Sequence, residues 1–169
     1  YNGIMSVTLN KIKTYEGGKS NIPGKKNIIK LSSNESPFGP SRKVLKAIKQ
    51  VSGKTNRYPN ADSLELKKNI CKRYKVPTKN IFVGNGSDEI LGLLCQLFLS
   101  KNDEVIIPKH SFLMYEIYAS INNAKVKYSN VKDYSFIVDD IIKKVTNKTK
   151  IIFIAQPNNP TGLYLDRKN

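Results

Sequence analysis

Residues 81–155 read IFVGNGSDEILGLLCQLFLSKNDEVIIPKHSFLMYEIYASINNAKVKYSNVKDYSFIVDDIIKKVTNKTKIIFIA, and the alternation within them decides the fold. IFVG, EVIIP, KVKYS and KIIFIA are short apolar or alternating runs rich in β-branched and aromatic residues, as strands are. Between them SDEILGLLCQLFL, FLMYEIYASIN and VDDIIKKV carry apolar residues at helical spacing. Strands that alternate with helices are joined by crossovers, which predicts an α/β fold with a mainly parallel sheet. The crossovers should be right-handed. Ligands of such open sheets bind beyond the carboxyl ends of the strands, here VGNGSDE, IPKHSF and AQPNNPTG.

Upstream the pattern is different. Residues 1–40 contain Gly17, Gly18, Pro23, Gly24, Pro37, Gly39 and Pro40, and read as an extended arm broken by one β-like run, IIKLS. SRKVLKAIKQV then places Val44, Leu45, Ile48 and Val51 at helical spacing behind Ser41, a suitable N-cap. A second helix is predicted over DSLELKKNICKRY, with TNRYPNA as the loop between the two. The chain is thus divided into an arm (1–40), a helical segment with the RYP loop (41–76) and the first part of a sheet domain (77–169). A chain of 169 residues can bury one core.

Lys and Arg number 29 against 13 Asp and Glu, a net charge of +16. That favours contact with anions, phosphorylated metabolites and nucleic acid among them. The lysines are spread along the chain without an accompanying aromatic pattern, so a solvated basic surface is the preferred reading over a nucleic-acid-binding protein. Cys71 and Cys95 lie far apart in apolar-periodic segments, with a single histidine for company. They read as buried core thiols in a reducing compartment, and no metal site is expected. No apolar run approaches the ~20 residues that span a bilayer, and the start lacks a signal-peptide pattern. A cytoplasmic protein without membrane contact is expected. Met5 is a candidate initiator, since the first residue is Tyr1. Asn147-Lys-Thr and Asn85-Gly-Ser match a glycosylation pattern that carries no weight without secretion.

The strand ends hold the candidate chemistry. In VGNGSDEI, Gly84 and Gly86 open a helix, and the amides of Gly86, Ser87 and Asp88 could cradle a phosphate. A dinucleotide fingerprint is excluded by Glu89 at its third glycine, and an ordinary tight turn remains the alternative. Phe112 in PKHSFLMY is either core or a platform for a planar ring. His110 is an acid–base candidate without a recognisable partner, and a loop-positioning role is preferred. In QPNNPTG two prolines bracket two asparagines, a setting for cis peptide bonds and for aiming the Asn159 amide at a ligand oxygen; an exposed turn is the alternative.

LSSNESPFGPS, NRYPNADSLELKKNI, GNGSDEILGLL, HSFLMYEIYA and PNNPTG, in this order and at these separations, resemble the histidinol-phosphate aminotransferase family within the fold-type-I pyridoxal-phosphate enzymes. The resemblance runs from about Tyr15 to Gly162. It implies part of the large domain of that fold, preceded by an extended arm, and pyridoxal 5′-phosphate as cofactor. It further implies that Gly86, Ser87 and Asp88 hold the cofactor phosphate through backbone amides. Phe112 would stack on the pyridine ring, and Asn159 would bond its phenolic oxygen. By the same resemblance Tyr58 reaches the phosphate of the partner subunit in a homodimer, and Tyr15, Asn34 and Glu35 line the substrate pocket. The substrates would be a phosphorylated amine and a 2-oxo acid: histidinol phosphate and 2-oxoglutarate, in histidine biosynthesis.

The resemblance also names parts with no counterpart here. The family's Schiff-base lysine, its pyridine-nitrogen aspartate and its substrate arginine match no position, and Lys168 stands too close to the turn to be that lysine. This chain is therefore expected to be an N-terminal portion that does not catalyse transamination alone. Its few strands are expected to leave apolar surface that promotes self-association. A related enzyme of the same fold, such as an aromatic aminotransferase or an amino-acid phosphate decarboxylase, shares the cofactor motifs and is the competing reading.

Overall fold

The computed structural model describes residues 12–19 and 21–166; Met5 and Lys168 lie outside them. The described residues form two compact units, one comprising Glu16–Val83 and the other the residues from Gly84 onward together with residues 12–15.

In the first unit the arm has no regular structure. IIKLS is not a strand: it finds no partner for its backbone among the described residues, and Ile29 and Leu31 are exposed. Helix α1 (Arg42–Val51) starts where expected, with the Ser41 hydroxyl accepting from the Val44 N–H at 3.3 Å. Helix α2 (Leu64–Tyr74) follows the TNRYPNA loop, and Lys75 ends it in the left-handed conformation. Neither helix buries a residue, so the apolar stripe of α1, Val44, Leu45, Ile48 and Val51, is exposed. Cys71, expected in a core, is only half-buried for the same reason.

The second unit holds the sheet. Helix α3 (Ser87–Phe98) leads to β1 (Glu104–Pro108), α4 (Leu113–Ile121), β2 (Lys125–Ser129), a hairpin of β3 (Val131–Lys132) and β4 (Ser135–Phe136), α5 (Val138–Lys143) and β5 (Thr149–Ile152). The sheet order is β2-β1-β5, and both pairings are parallel, as alternation predicts. IFVG, expected as a further strand, is not one. It is extended at Ile81 but has no ladder among the described residues. The β3–β4 hairpin went unforeseen, because its turn uses Asp133 and Tyr134, both at positive φ, where Asn-Gly or Asp-Gly is the usual signal.

Every residue of β1 is buried, as suits a central strand covered on both faces. Val105 and Ile107 join Cys95, Leu99, Tyr115, Ala119 and Phe153 in the larger core, under α3 and α4. Ile106, on the opposite face by alternation, packs with Phe136 and Ile141 from the hairpin and α5. Gly92 keeps α3 close to α4: a Cβ there would stand 3.0 Å from the Tyr118 ring. No helix among the described residues is long and apolar enough to cross a membrane.

Candidate functional site

Two candidate loops leave the carboxyl ends of β1 and β5, and a third precedes α3; each is positioned by its own local chemistry. In the first, Gly86 is the N-cap of α3 with φ 87 and ψ 174, a conformation that is close to glycine-only. No side chain caps this helix, and Gly86, Ser87 and Asp88 are exposed, so their amides stand open at the positive end of the helix dipole. The Glu89 carboxylate accepts from the Asn85 N–H, which turns that charge back onto the loop. Gly84 is tight, since a Cβ would lie 2.8 Å from both the Glu89 carboxylate and Ile90. Burial pushes the Tyr118 hydroxyl up, and the Asp88 carboxylate adds to the shift.

The second loop follows β1. His110 has φ 58, an uncommon conformation for a residue with a side chain, and its ring meets Tyr134 edge-on at 5.2 Å. Phe112, the N-cap of α4, is half-buried. Its ring takes Tyr115 edge-on at 5.7 Å and Tyr15 edge-on at 6.2 Å, while Tyr115 stacks flat on Phe153 at 4.6 Å. Phe112 is therefore partly core, yet not sealed off. A cleft of about 320 Å³ opens beside it, bordered by Lys13, Lys109, His110, Glu116 and Tyr128. Lys13 and Glu116 pair there at 2.9 Å, and the Tyr128 hydroxyl is pushed up by burial and then by its bond to Glu116.

The third loop is the turn after β5. Both of its X-Pro bonds, Gln156–Pro157 and Asn159–Pro160, are cis. Asn158 is buried at 3% exposure; its amide nitrogen donates to the His110 carbonyl at 3.0 Å and to the Thr161 hydroxyl at 2.9 Å. Its amide oxygen accepts from Ser111 at 3.3 Å. Asn159 is half-buried, and its side chain makes no hydrogen bond to a described residue.

Of the nine residues singled out in the sequence, Gly86, Ser87, Asp88, Phe112, Asn159 and Tyr15 fall in this unit, with Tyr15 set against Phe112. Asn34, Glu35 and Tyr58 belong to the other. There Glu35 pairs with Lys30 at 2.7 Å, Asn34 is exposed, and Tyr58 is fully exposed.

The family profile "Aminotransferase class I and II" matches residues 26–169. The chain belongs to this aminotransferase family. It is 50% identical over 157 residues to the histidinol-phosphate aminotransferase of Pelagibacter ubique, covering 93% of this chain and 44% of that relative. It is 42% identical over 154 residues to that of Paramagnetospirillum magneticum, covering 91% of this chain and 42% of the relative. The chain thus spans less than half the length of these curated relatives. Among solved structures, the histidinol-phosphate aminotransferase from Sinorhizobium meliloti in complex with pyridoxal-5′-phosphate superposes with a TM-score of 0.76 at 23% identity. That match covers 80% of this chain and 37% of that one, and shows the fold. Alanine aminotransferase from Pyrococcus furiosus aligns with a TM-score of 0.72 at 27% identity, over 78% of this chain and 36% of that one.

In this aminotransferase chain the sequence reading singled out Asn159 and passed over Asn158, whose buried amide ties two loops together. Two adjacent asparagines look alike in sequence. Only the partners around each separate them. Glu116, Lys13 and Tyr128 were missed as well, because a charged or phenolic side chain at a helical or strand position gives no local sign of a cleft. No group of three or more metal-ligating side chains occurs among the described residues.

Proposed function

We propose that the protein is a pyridoxal 5′-phosphate-dependent transaminase that acts on histidinol phosphate and 2-oxoglutarate in histidine biosynthesis. The observation that carries this reading is 50% identity over 93% of the chain to a histidinol-phosphate aminotransferase. The residues of these three loops fit the cofactor. Open amides at Gly86, Ser87 and Asp88 suit its phosphate, and the side chain at Asp88 matters less than its N–H. Phe112 offers a ring supported edge-on by its neighbours, and the Asn159 amide is free of partners among the described residues. When bound, the cofactor supplies an electron sink for negative charge at the substrate carbon.

In this reading the chain's own residues bind and orient. The helix end neutralises the phosphate, Phe112 fixes the plane of the ring, and Asn159 donates to its phenolic oxygen. Tyr15, already against Phe112, lines the substrate side; for Asn34 and Glu35 the same role rests on the family resemblance alone. Tyr58 serves a second copy of the chain across a homodimer, which is consistent with its full exposure. The organisation into arm, helical segment and cofactor domain, and a cytoplasmic location, belong to the same proposal.

The test is glutamate formation from histidinol phosphate and 2-oxoglutarate by the complete gene product, with the 169-residue chain assayed beside it. Turnover by the complete gene product that depends on added pyridoxal phosphate is the expected result, with none from the 169-residue chain alone. Turnover of aromatic amino acids with none of histidinol phosphate would replace the substrate assignment.

A further inference from the structure

We infer that Asn158 is a positioning residue that locks the turn carrying Asn159 to the loop carrying Phe112, and so sets the spacing between the amide and the ring. The inference rests on the cofactor reading of those two residues. Asn158 uses both its backbone and its side chain. Its N–H donates to the Leu163 carbonyl and its carbonyl accepts from the Gly162 N–H, each at 2.7 Å, which closes its own turn. Its side chain leaves that turn and binds the other loop at the His110 carbonyl and the Ser111 hydroxyl.

The geometry at the receiving end explains why this matters. A residue with a side chain at φ 58 persists where its surroundings hold it, and His110 is held by the Asn158 amide on its carbonyl and by Tyr134 against its ring. Phe112 follows two positions later and begins α4, so the direction in which its ring leaves the backbone depends on how His110 turns. The requirement is chemically narrow. Aspartate is nearly the same shape, but its carboxylate cannot donate to the His110 carbonyl and would set a negative charge beside that oxygen. Leucine would leave a half-buried hydroxyl and a carbonyl without their present partner.

The experiment titrates cofactor-free protein with pyridoxine 5′-phosphate, which has no aldehyde, and in parallel with inorganic phosphate. Asn158→Ala and Asn158→Asp are expected to weaken pyridoxine 5′-phosphate binding by roughly tenfold or more. Inorganic phosphate, which needs only the amides at the start of α3, should bind as in the unaltered protein. General loss of structure would weaken both, so the split separates positioning from unfolding. If Asn158→Ala does not fold, Ser111→Ala combined with Thr161→Val removes two of its three side-chain partners, leaving only the His110 carbonyl, and should show the same split in milder form. Unchanged pyridoxine 5′-phosphate affinity in variants of a protein that binds it overturns the positioning role alone. No binding by the unaltered protein overturns the cofactor reading, and the positioning role with it.

Discussion

Glu104 on β1 and Lys127 on β2 form an ion pair of 2.7 Å, and the Thr146 hydroxyl donates to the same carboxylate at 2.5 Å. The pair stands near the end of the sheet opposite the candidate site and joins two strands and the segment that leads into β5. Lys127, and next Thr146, hold the Glu104 carboxyl below its ordinary value of 4.5. Asp140 is lowered from 3.8 in the same manner, first by the Asn130 N–H at 2.6 Å and then by Lys144.

Acid sensitivity follows from the sign of these shifts. Both carboxyls have lower pKa values folded than unfolded, so the stability they contribute is present above pH 4.5 and is lost as pH falls through the folded values. Urea midpoints measured from pH 7 down to about 3 should therefore decline at the acid end. Glu104→Gln should lower the midpoint at neutral pH and flatten part of that decline. An unchanged acid slope in this variant would mean that other groups set it.

Ile106 is fully buried between the sheet and the layer that carries Phe136 and Ile141. Ile106→Ala should cost about 2–5 kcal/mol, the range for a large cavity in a core, and Ile106→Val about 0.5–1.5 kcal/mol. Ile48→Ser on the exposed face of α1 should change stability by no more than about 0.5 kcal/mol. Chemical denaturation of the three variants checks the order.

The cysteines should differ in reactivity. Burial pushes the Cys95 thiol up to about 11, whereas Cys71 is half-buried in α2. A thiol reagent at neutral pH should modify Cys71 quickly and Cys95 only after denaturation. Equal rates in the folded protein would place Cys95 outside the core.

Gly86→Ala should act through the backbone alone, since a Cβ there meets nothing within 4 Å while φ stays at 87. The strain is about 1–3 kcal/mol, relieved by rotating the amides that follow. Inorganic phosphate affinity should fall accordingly. A variant that retains full affinity would show that the amides do not depend on this conformation.

Much of the fold could be read locally. Alternation between strand and helix periods placed EVIIP, KVKYS and the start of KIIFIA in one parallel sheet, and Ser41 announced the start of α1. IFVG and IIKLS failed because a strand is defined by its partner, and an extended apolar run without one has nowhere to send its hydrogen bonds. At the candidate site, GNGSDE and PNNPTG were visible because glycine and proline chemistry is written into a few consecutive residues.

The class of fold and the family to which the chain belongs are legible in the sequence by itself, from local spacing and an ordered series of motifs, and so are the glycine and proline turns proposed for the site. Tertiary structure alone decided which asparagine is anchored and which is open. Asn158 and Asn159 are the same residue type in the same turn. The carbonyl that holds the Asn158 amide belongs to His110, 48 positions away, and only folding brings it within 3.0 Å.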